Sequence, residues 1–103
     1  MFNPLDGPSA QIKLTGVGTV TPVEVKVGAQ PLSERQVITM QPTGNMKVYF
    51  ADSSGAAPSA ATVLANGLDH FKSTKETYEA GEKQKVYVLA ASGTIDVVIV
   101  ERA

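Results

Sequence analysis

His70, in the segment LDHF (68–71), is the residue of this chain best suited to act as a general base or a metal ligand. The chain has no second histidine and no cysteine, so it cannot assemble a His–Cys nucleophile pair or a typical zinc ligand set. Asp69 is adjacent, but neighbouring residues on a strand point to opposite faces and do not converge. We therefore interpret His70 as a surface or interface residue.

The carboxylates are the other groups that could do chemistry, as a general acid–base pair. Such a pair needs at least one carboxylate in apolar surroundings that shift its pKa. The densest group, Glu76, Glu79 and Glu82, is interleaved with lysines, which is typical of a solvated face. We expect no catalytic residue, no metal site and no cofactor, and we expect the protein not to be an enzyme.

Charge and hydropathy exclude further classes of function. The formal net charge is -1, and this lack of a basic surplus argues against nucleic acid as a partner. The segment 1–10 lacks the basic and apolar regions of a secretory signal, so we do not expect it to be one. Apolar runs stay well below the length of about 18 residues that a membrane helix needs, so we expect no membrane association.

Short runs of alternating apolar and polar residues recur along the chain, with turn residues between them. Alternation with period two predicts strands that have one face on a core. The predicted strands are 11–16, 21–28, 36–41, 46–51, 69–72, 74–79, 85–90 and 94–100. This pattern predicts an all-β protein of six to eight strands, a small antiparallel β-sandwich of jelly-roll or Ig-like type, in one domain over 11–103.

The connections between these strands lead to more specific expectations. We predict hairpins for 36–41 with 46–51 and for 85–90 with 94–100, because short turn clusters separate the members of each pair. The first two strands are predicted to form a hairpin or a meander pair. The segment 52–67 is predicted as a long loop, with either one helical turn or a short strand at 61–64.

Residues 1–10 carry Pro4, Gly7 and Pro8 and predict an extended N-terminal arm. The arm is either a frayed terminus or a segment that orders on a neighbouring subunit. If it binds a neighbour, Phe2, Pro4 and Leu5 are the residues expected to make the contact.

The last two strands carry more apolar side chains than one buried face requires. If Ile95, Val97 and Ile99 fill the core, Val98 and Val100 point away from it. Two residues of the preceding strand, Tyr87 and Leu89, have the same alternation, and a hairpin would bring the two sets together. A large wet apolar patch is unusual on a monomer, so either the 52–67 segment or the second sheet covers these residues, or another subunit does.

The segment SERQVITMQPTGNMKVYFADSS (33–54) resembles a recurrent pattern in small virion proteins of tailed bacteriophages. In that pattern a residue corresponding to Arg35 leads into a strand, a turn follows, and then a second strand and a Ser-rich loop. The later elements ANGL (65–68), AGEKQ (80–84) and VYVLAASGTIDVVIVE (86–101) are similar as well. The resemblance covers about residues 33–102, and its motifs are structural. Pro42 departs from it, since Asn is usual there, and the loop around 56–62 is longer.

The resemblance implies a β-sandwich that binds capsid or tail proteins. The function we expect from it is a capsid decoration or cement protein that stabilises the head, with a collar, tail or fibre-base adaptor as the alternative. The implied partners are the major capsid protein or neck and tail proteins, together with further copies of the chain as a dimer or trimer. The implied location is the virion, assembled in the host cytoplasm.

A receptor- or carbohydrate-binding module is the third hypothesis. It requires an exposed aromatic platform with polar partners, and Tyr49, Tyr78 and His70 are the candidates. For the structural role, the expected partner-binding residues on the sheet are Tyr87, Leu89, Val98 and Val100.

Overall fold

The alternating segments form eight strands and one short helix in a computed structural model that describes residues 9–51 and 56–103. In chain order the elements are β1 (Ser9–Val17), β2 (Val23–Glu24), β3 (Val37–Pro42), β4 (Met46–Ala51), α1 (Ala60–Asn66), β5 (Leu68–His70), β6 (Glu76–Glu79), β7 (Lys85–Ala90) and β8 (Ile95–Arg102). Strand β1 begins at Ser9, two residues before the predicted start. The rest of the predicted arm, with Phe2, Pro4 and Leu5, lies outside the described residues.

The strands form two antiparallel sheets of four strands each. Sheet A has the order β1-β8-β3-β6, and sheet B has the order β2-β7-β4-β5. This is the strand order of an eight-stranded jelly roll. The predicted fold class, a small antiparallel β-sandwich, is confirmed, and of the two topologies that the sequence left open the jelly roll is the one observed.

The core lies between the two sheets and consists mainly of valine, isoleucine and methionine side chains. Its buried members are Val17, Val25, Ile38, Met40, Met46, Val48, Ala80, Val86, Val88, Ala90, Ile95, Val97 and Ile99. The four consecutive apolar residues of β8 divide between the two faces of sheet A. Val97 and Ile99 are fully buried in the core, whereas Val98 and Val100 point outward and are half-buried.

The predicted hairpins are wrong. In each of the three predicted pairs (β1 with β2, β3 with β4, β7 with β8), the first and second strands belong to different sheets. Their connections therefore cross from one sheet to the other over the edge of the core. A connection of this kind keeps the apolar residues of both strands pointing inward, just as a hairpin does, so alternation cannot distinguish the two.

The helix α1 is the main departure from the predicted loop at 52–67, and it decides between the two alternatives for 61–64. Ser59 caps its start, since its side-chain oxygen accepts a hydrogen bond from the Thr62 N–H at 3.2 Å. The helix ends at Gly67, whose N–H donates to the Val63 carbonyl at 2.8 Å. Val63 is the buried residue of the helix, and α1 packs on β4 and β7 of sheet B.

Candidate functional site

The interior of the sandwich holds one ion pair, formed by Arg35 before β3 and Glu101 near the end of β8. Both side chains have no exposed surface, and Nη1 of Arg35 lies 2.5 Å from Oε2 of Glu101. The other carboxylate oxygen, Oε1, accepts a hydrogen bond from the Val27 N–H at 2.8 Å. The carboxylate is therefore held by a cation on one side and by backbone on the other.

The guanidinium of Arg35 is also bonded on its remaining sides. Its Nε donates to the Ala80 carbonyl at 3.1 Å, and Nη1 donates to the Val25 carbonyl at 3.2 Å. Nη2 donates to the carbonyls of Gly81 at 2.9 Å and Gln84 at 2.6 Å. An arginine side chain has five N–H donors, so this arrangement uses all of them. The ion pair thus ties the segment after β2 and the β6–β7 turn to β8.

This pair is structural rather than catalytic. Neither side chain reaches solvent, and no buried side-chain nitrogen or oxygen among the described residues lacks a hydrogen-bond partner. The sequence pattern was not used to predict this pair. The available signal was the phase of β8, because Glu101 continues the inward series of Ile95, Val97 and Ile99.

His70 is fully buried, so its interpretation as a surface or interface residue is wrong. Its Nε2 lies 2.6 Å from the Thr74 carbonyl, which can only accept, so Nε2 carries the proton. The other ring nitrogen, Nδ1, shares a hydrogen bond with the Tyr78 hydroxyl at 2.9 Å. Because His70 lies on β5 and Tyr78 on β6, this bond joins the edge strands of the two sheets.

Glu76 completes this cluster at its solvent side. Its Oε2 lies 3.3 Å from the Tyr78 hydroxyl and 3.5 Å from Nδ1 of His70. Burial, and after it the charge of Glu76 and its hydrogen bond, raise the pKa of Tyr78 from 10.0 to about 12. The Tyr78 hydroxyl therefore stays protonated and keeps the hydrogen bond that joins β6 to β5. With Nε2 of His70 bonded to backbone and its ring buried, we see no access for a substrate.

The outer face of sheet B is covered by its own chain. Leu89 is fully buried and Tyr87 is 5% exposed, and both lie outside the core cluster between the sheets. The helix α1 packs over β7 here and buries Val63. Within the described residues, both side chains are therefore covered by their own chain, and α1 lies on the two strands β4 and β7. The role of Tyr87 and Leu89 in partner binding stays a prediction.

The outer face of sheet A carries the other two predicted sheet residues, Val98 and Val100. Because β7 and β8 lie in different sheets, these two valines are on the opposite side of the molecule from Tyr87 and Leu89. The sequence expectation that the four residues come together is wrong for that reason.

Strand register arranges the outer face of sheet A in rows. Val100 lies between Gln11 of β1 and Thr39 of β3, and Thr39 is opposite Thr77 of β6. The hydroxyls of the two threonines are 2.8 Å apart. In the next row, Val98 lies between Lys13 and Gln41. We define the open face as these seven residues: Gln11, Lys13, Thr39, Gln41, Thr77, Val98 and Val100.

Lys13 is the charged residue among these seven, and the adjacent row of the same sheet face holds Ser9, Arg102, Val37 and Glu79. In the described part of the chain, the one helix packs on sheet B, so sheet A has no helical cover. Beside Val98 the surface dips into a shallow cleft of about 300 Å³, lined by Lys13, Gln41, Pro42, Thr43, Ser73 and Val98. A cleft this shallow suits contact with another protein surface better than enclosure of a small ligand.

The aromatic platform required for carbohydrate binding is not formed. Tyr49 is opposite Tyr87 on the outer side of sheet B, whereas Tyr78 packs against Phe50 at the edge of the core, with ring centroids 5.8 Å apart. The three candidate residues therefore do not share a surface. No group of three or more potential metal-ligating side chains occurs within residues 9–51 and 56–103. No helix in this described part is long and apolar enough to cross a membrane.

Comparison with known proteins finds likeness at the level of the fold. No family model matches the sequence, and no curated protein matches it. Among solved structures, the Tobacco streak virus coat protein dimer is similar with a TM-score of 0.45 and 11% identity, over 90% of this chain and 86% of that one. Protein NMB1881 from Neisseria meningitidis has a TM-score of 0.44 and 12% identity, over 92% and 72% of the two chains.

A third similar structure is that of Bacillus endospore appendages, described as a family of disulfide-linked pili. It has a TM-score of 0.43 and 10% identity, over 92% of this chain and 85% of that one. TM-scores and identities this low carry no argument about function. The surfaces of the molecule itself therefore have to indicate what it does.

Proposed function

We propose that this chain is a non-enzymatic structural protein of a bacteriophage virion, a capsid decoration or cement protein that stabilises the head by protein–protein contacts. The observation that carries the proposal is the open face of sheet A. On sheet B the outer residues Tyr87 and Leu89 are buried, whereas Val98 and Val100 of sheet A remain half-buried. A partner that covers the open face completes the burial of the two valines, which contributes part of the about 1.5–3 kcal/mol that full burial of an aliphatic side chain is worth.

The sequence resemblance to small phage virion proteins supports the same proposal. Two charged residues of the similar region, Arg35 near its start and Glu101 near its end, form the buried ion pair. The elements that the chain has in common with such proteins therefore specify the framework of the sandwich. Jelly rolls occur in viral capsids, and also in lectins and cupins, so topology alone does not choose among these functions.

Copy number in purified particles tests the proposal directly. Quantitative mass spectrometry of virions of the encoding phage is expected to find the chain in numbers of the order of hundreds per particle, as a head lattice requires. About six or twelve copies would instead indicate a ring at the neck or tail, which is the adaptor alternative. Particles that lack the chain would overturn both.

Substitutions on the open face test which surface makes the contact. The variant Val98→Glu/Val100→Glu is expected to bind particles lacking the protein at least about tenfold more weakly, because it places carboxylates where apolar contact is required. The matched control is Ala61→Glu/Ala65→Glu, which adds the same charge at exposed positions of α1. Equal binding of the two variants would exclude the open face as the contact surface.

A further inference from the structure

The free edge of β1 is the longest strand edge in the described structure. The other edge strands, β2, β5 and β6, have two, three and four residues, whereas β1 has nine. An edge strand presents unpaired N–H and C=O groups that can pair with another strand. Beyond Leu14 the register of β1 shifts, and Gly16 has a φ of 70°. The regular, pairing-competent part of this edge therefore runs from Ser9 to Leu14.

Ile12 lies at the centre of this regular part and is incompletely covered. It is opposite Ile99, which is fully buried, so Ile12 points toward the inside of the sandwich. It nevertheless remains 37% exposed. The edge strand of sheet B on this side, β2, has only two residues and does not extend far enough to cover it.

We infer that a second copy of this chain pairs with the free edge of β1, antiparallel, with Ile12 of both copies at the twofold axis. Antiparallel pairing of identical strands places residues whose numbers sum to a constant opposite each other. With Ile12 at the centre, Leu14 is opposite the partner's Ala10, and Lys13 is opposite the partner's Gln11. Residues 10–14 of the regular part are symmetric about Ile12, so each of these five positions is opposite a regular position of the partner.

Charge selects this register over its neighbour. Moving the centre by one residue to Lys13 places the two lysine side chains directly opposite each other, which is unfavourable. The charge of Lys13 therefore favours the register centred on Ile12. In that register the exposed Ile12 side chains of the two copies lie opposite each other. The resulting assembly is a continuous eight-stranded sheet whose two open faces lie on the same side. This inference concerns self-assembly in solution and does not depend on the proposed virion role.

Single-cysteine variants test the register, because the chain contains no cysteine of its own. Directly opposed residues have Cβ atoms about 4.5–5.5 Å apart, close to the separation in a disulfide. Ile12→Cys is therefore expected to form a disulfide-linked dimer under mild oxidation at least about tenfold faster than Thr15→Cys. In the inferred register the two Thr15 positions are six residues apart along the strands, or about 20 Å.

Solution mass provides the second measurement. Sedimentation equilibrium of the unmodified chain is expected to give twice the 10.8 kDa of one copy, and Ile12→Lys is expected to raise the dissociation constant at least about tenfold. Circular dichroism checks that the variants are folded. Equal oxidation rates for the two cysteine variants, or a mass of one copy at high concentration, would overturn the inference. The particle copy number is measured separately, so its outcome is independent of this one.

Discussion

The guanidinium of Arg35 and the carboxylate of Glu101 meet in the dry interior, although 66 positions separate them in the sequence. Their contact joins the segment before β3 to the end of β8. Because a buried charge without a partner is strongly unfavourable, each residue makes the other necessary.

Removing one partner of this pair is expected to destabilise the fold strongly. Arg35→Met leaves the Glu101 carboxylate buried and four backbone carbonyls without their donor, so we expect a loss of about 3–5 kcal/mol in the free energy of unfolding. Urea denaturation followed by circular dichroism measures it. The control is Lys47→Met, which removes the ion pair with the partly exposed Asp69 and is expected to lose less than about 1 kcal/mol. A similar small loss for both variants would contradict the role of the buried pair.

The burial of Leu89, on the face of sheet B that points away from the core, leads to a second prediction. Leu89→Ala is expected to lose about 2–5 kcal/mol in the isolated chain, because the side chain is fully buried without any partner subunit. Leu64→Ala on the same helix side is the matched control, since Leu64 is 46% exposed, and is expected to change stability by about 0.5 kcal/mol or less. Thermal or urea unfolding distinguishes the two. An equally small loss in the free energy of unfolding for the two variants would contradict the burial of Leu89 in the isolated chain.

Gly67 sets how closely α1 approaches β4. A Cβ at this position would lie 2.5 Å from the Val63 carbonyl oxygen and 3.1 Å from Cβ of Lys47, so the end of the helix must move to admit it. Gly67→Ala is expected to lose about 1–3 kcal/mol in urea denaturation. Gly18→Ala is the control, because nothing lies within 4 Å of its added Cβ, and it is expected to be neutral or slightly stabilising. Equal effects at the two glycines would argue against close packing of α1.

The Tyr78 hydroxyl predicts how stability depends on alkaline pH. Burial raises its pKa from 10.0 to about 12, so the folded state retains a proton that the unfolded chain loses first. The contribution to stability is therefore complete below pH 10 and is lost as the pH rises from there through about 12. Urea denaturation at a series of pH values is expected to show a steeper alkaline decline for the unmodified chain than for Tyr78→Phe. Parallel declines would show that the hydroxyl does not control this dependence.

Sequence alternation was sufficient to predict the class of fold but not its connectivity. The inward series of β8 and the strands around Met40 and Met46 were identified because a half-buried strand alternates with period two. The pairing was wrong because β3 and β4 expose the same alternation whether they pair with each other or face each other across the core. Local pattern contains no information on which of these two arrangements forms.

The open face of sheet A was predictable in part, because period-two alternation determines which side chains of β8 point outward. Val98 and Val100 were correctly predicted to point away from the core, since they are out of phase with Val97 and Ile99. Tyr87 and Leu89 have the same outward phase, yet both are buried in a sheet on which α1 packs. Tertiary packing, which local alternation does not contain, separates these buried residues from Val98 and Val100. His70 was misjudged because its burial depends on Tyr78 and Thr74, which the LDHF segment does not reveal.

The place of β8 in sheet A, between β1 and β3, has a consequence for biosynthesis. Strands β1 and β3 leave the ribosome early, but neither has its central neighbour until Ile95–Arg102 has emerged. The β3–β6 pair of sheet A can form earlier, but completion of the sheet and closure of the Arg35–Glu101 contact must follow translation of β8. A nascent chain stalled before β8 would present β1 unpaired, and β3 paired on one side only, to chaperones and proteases.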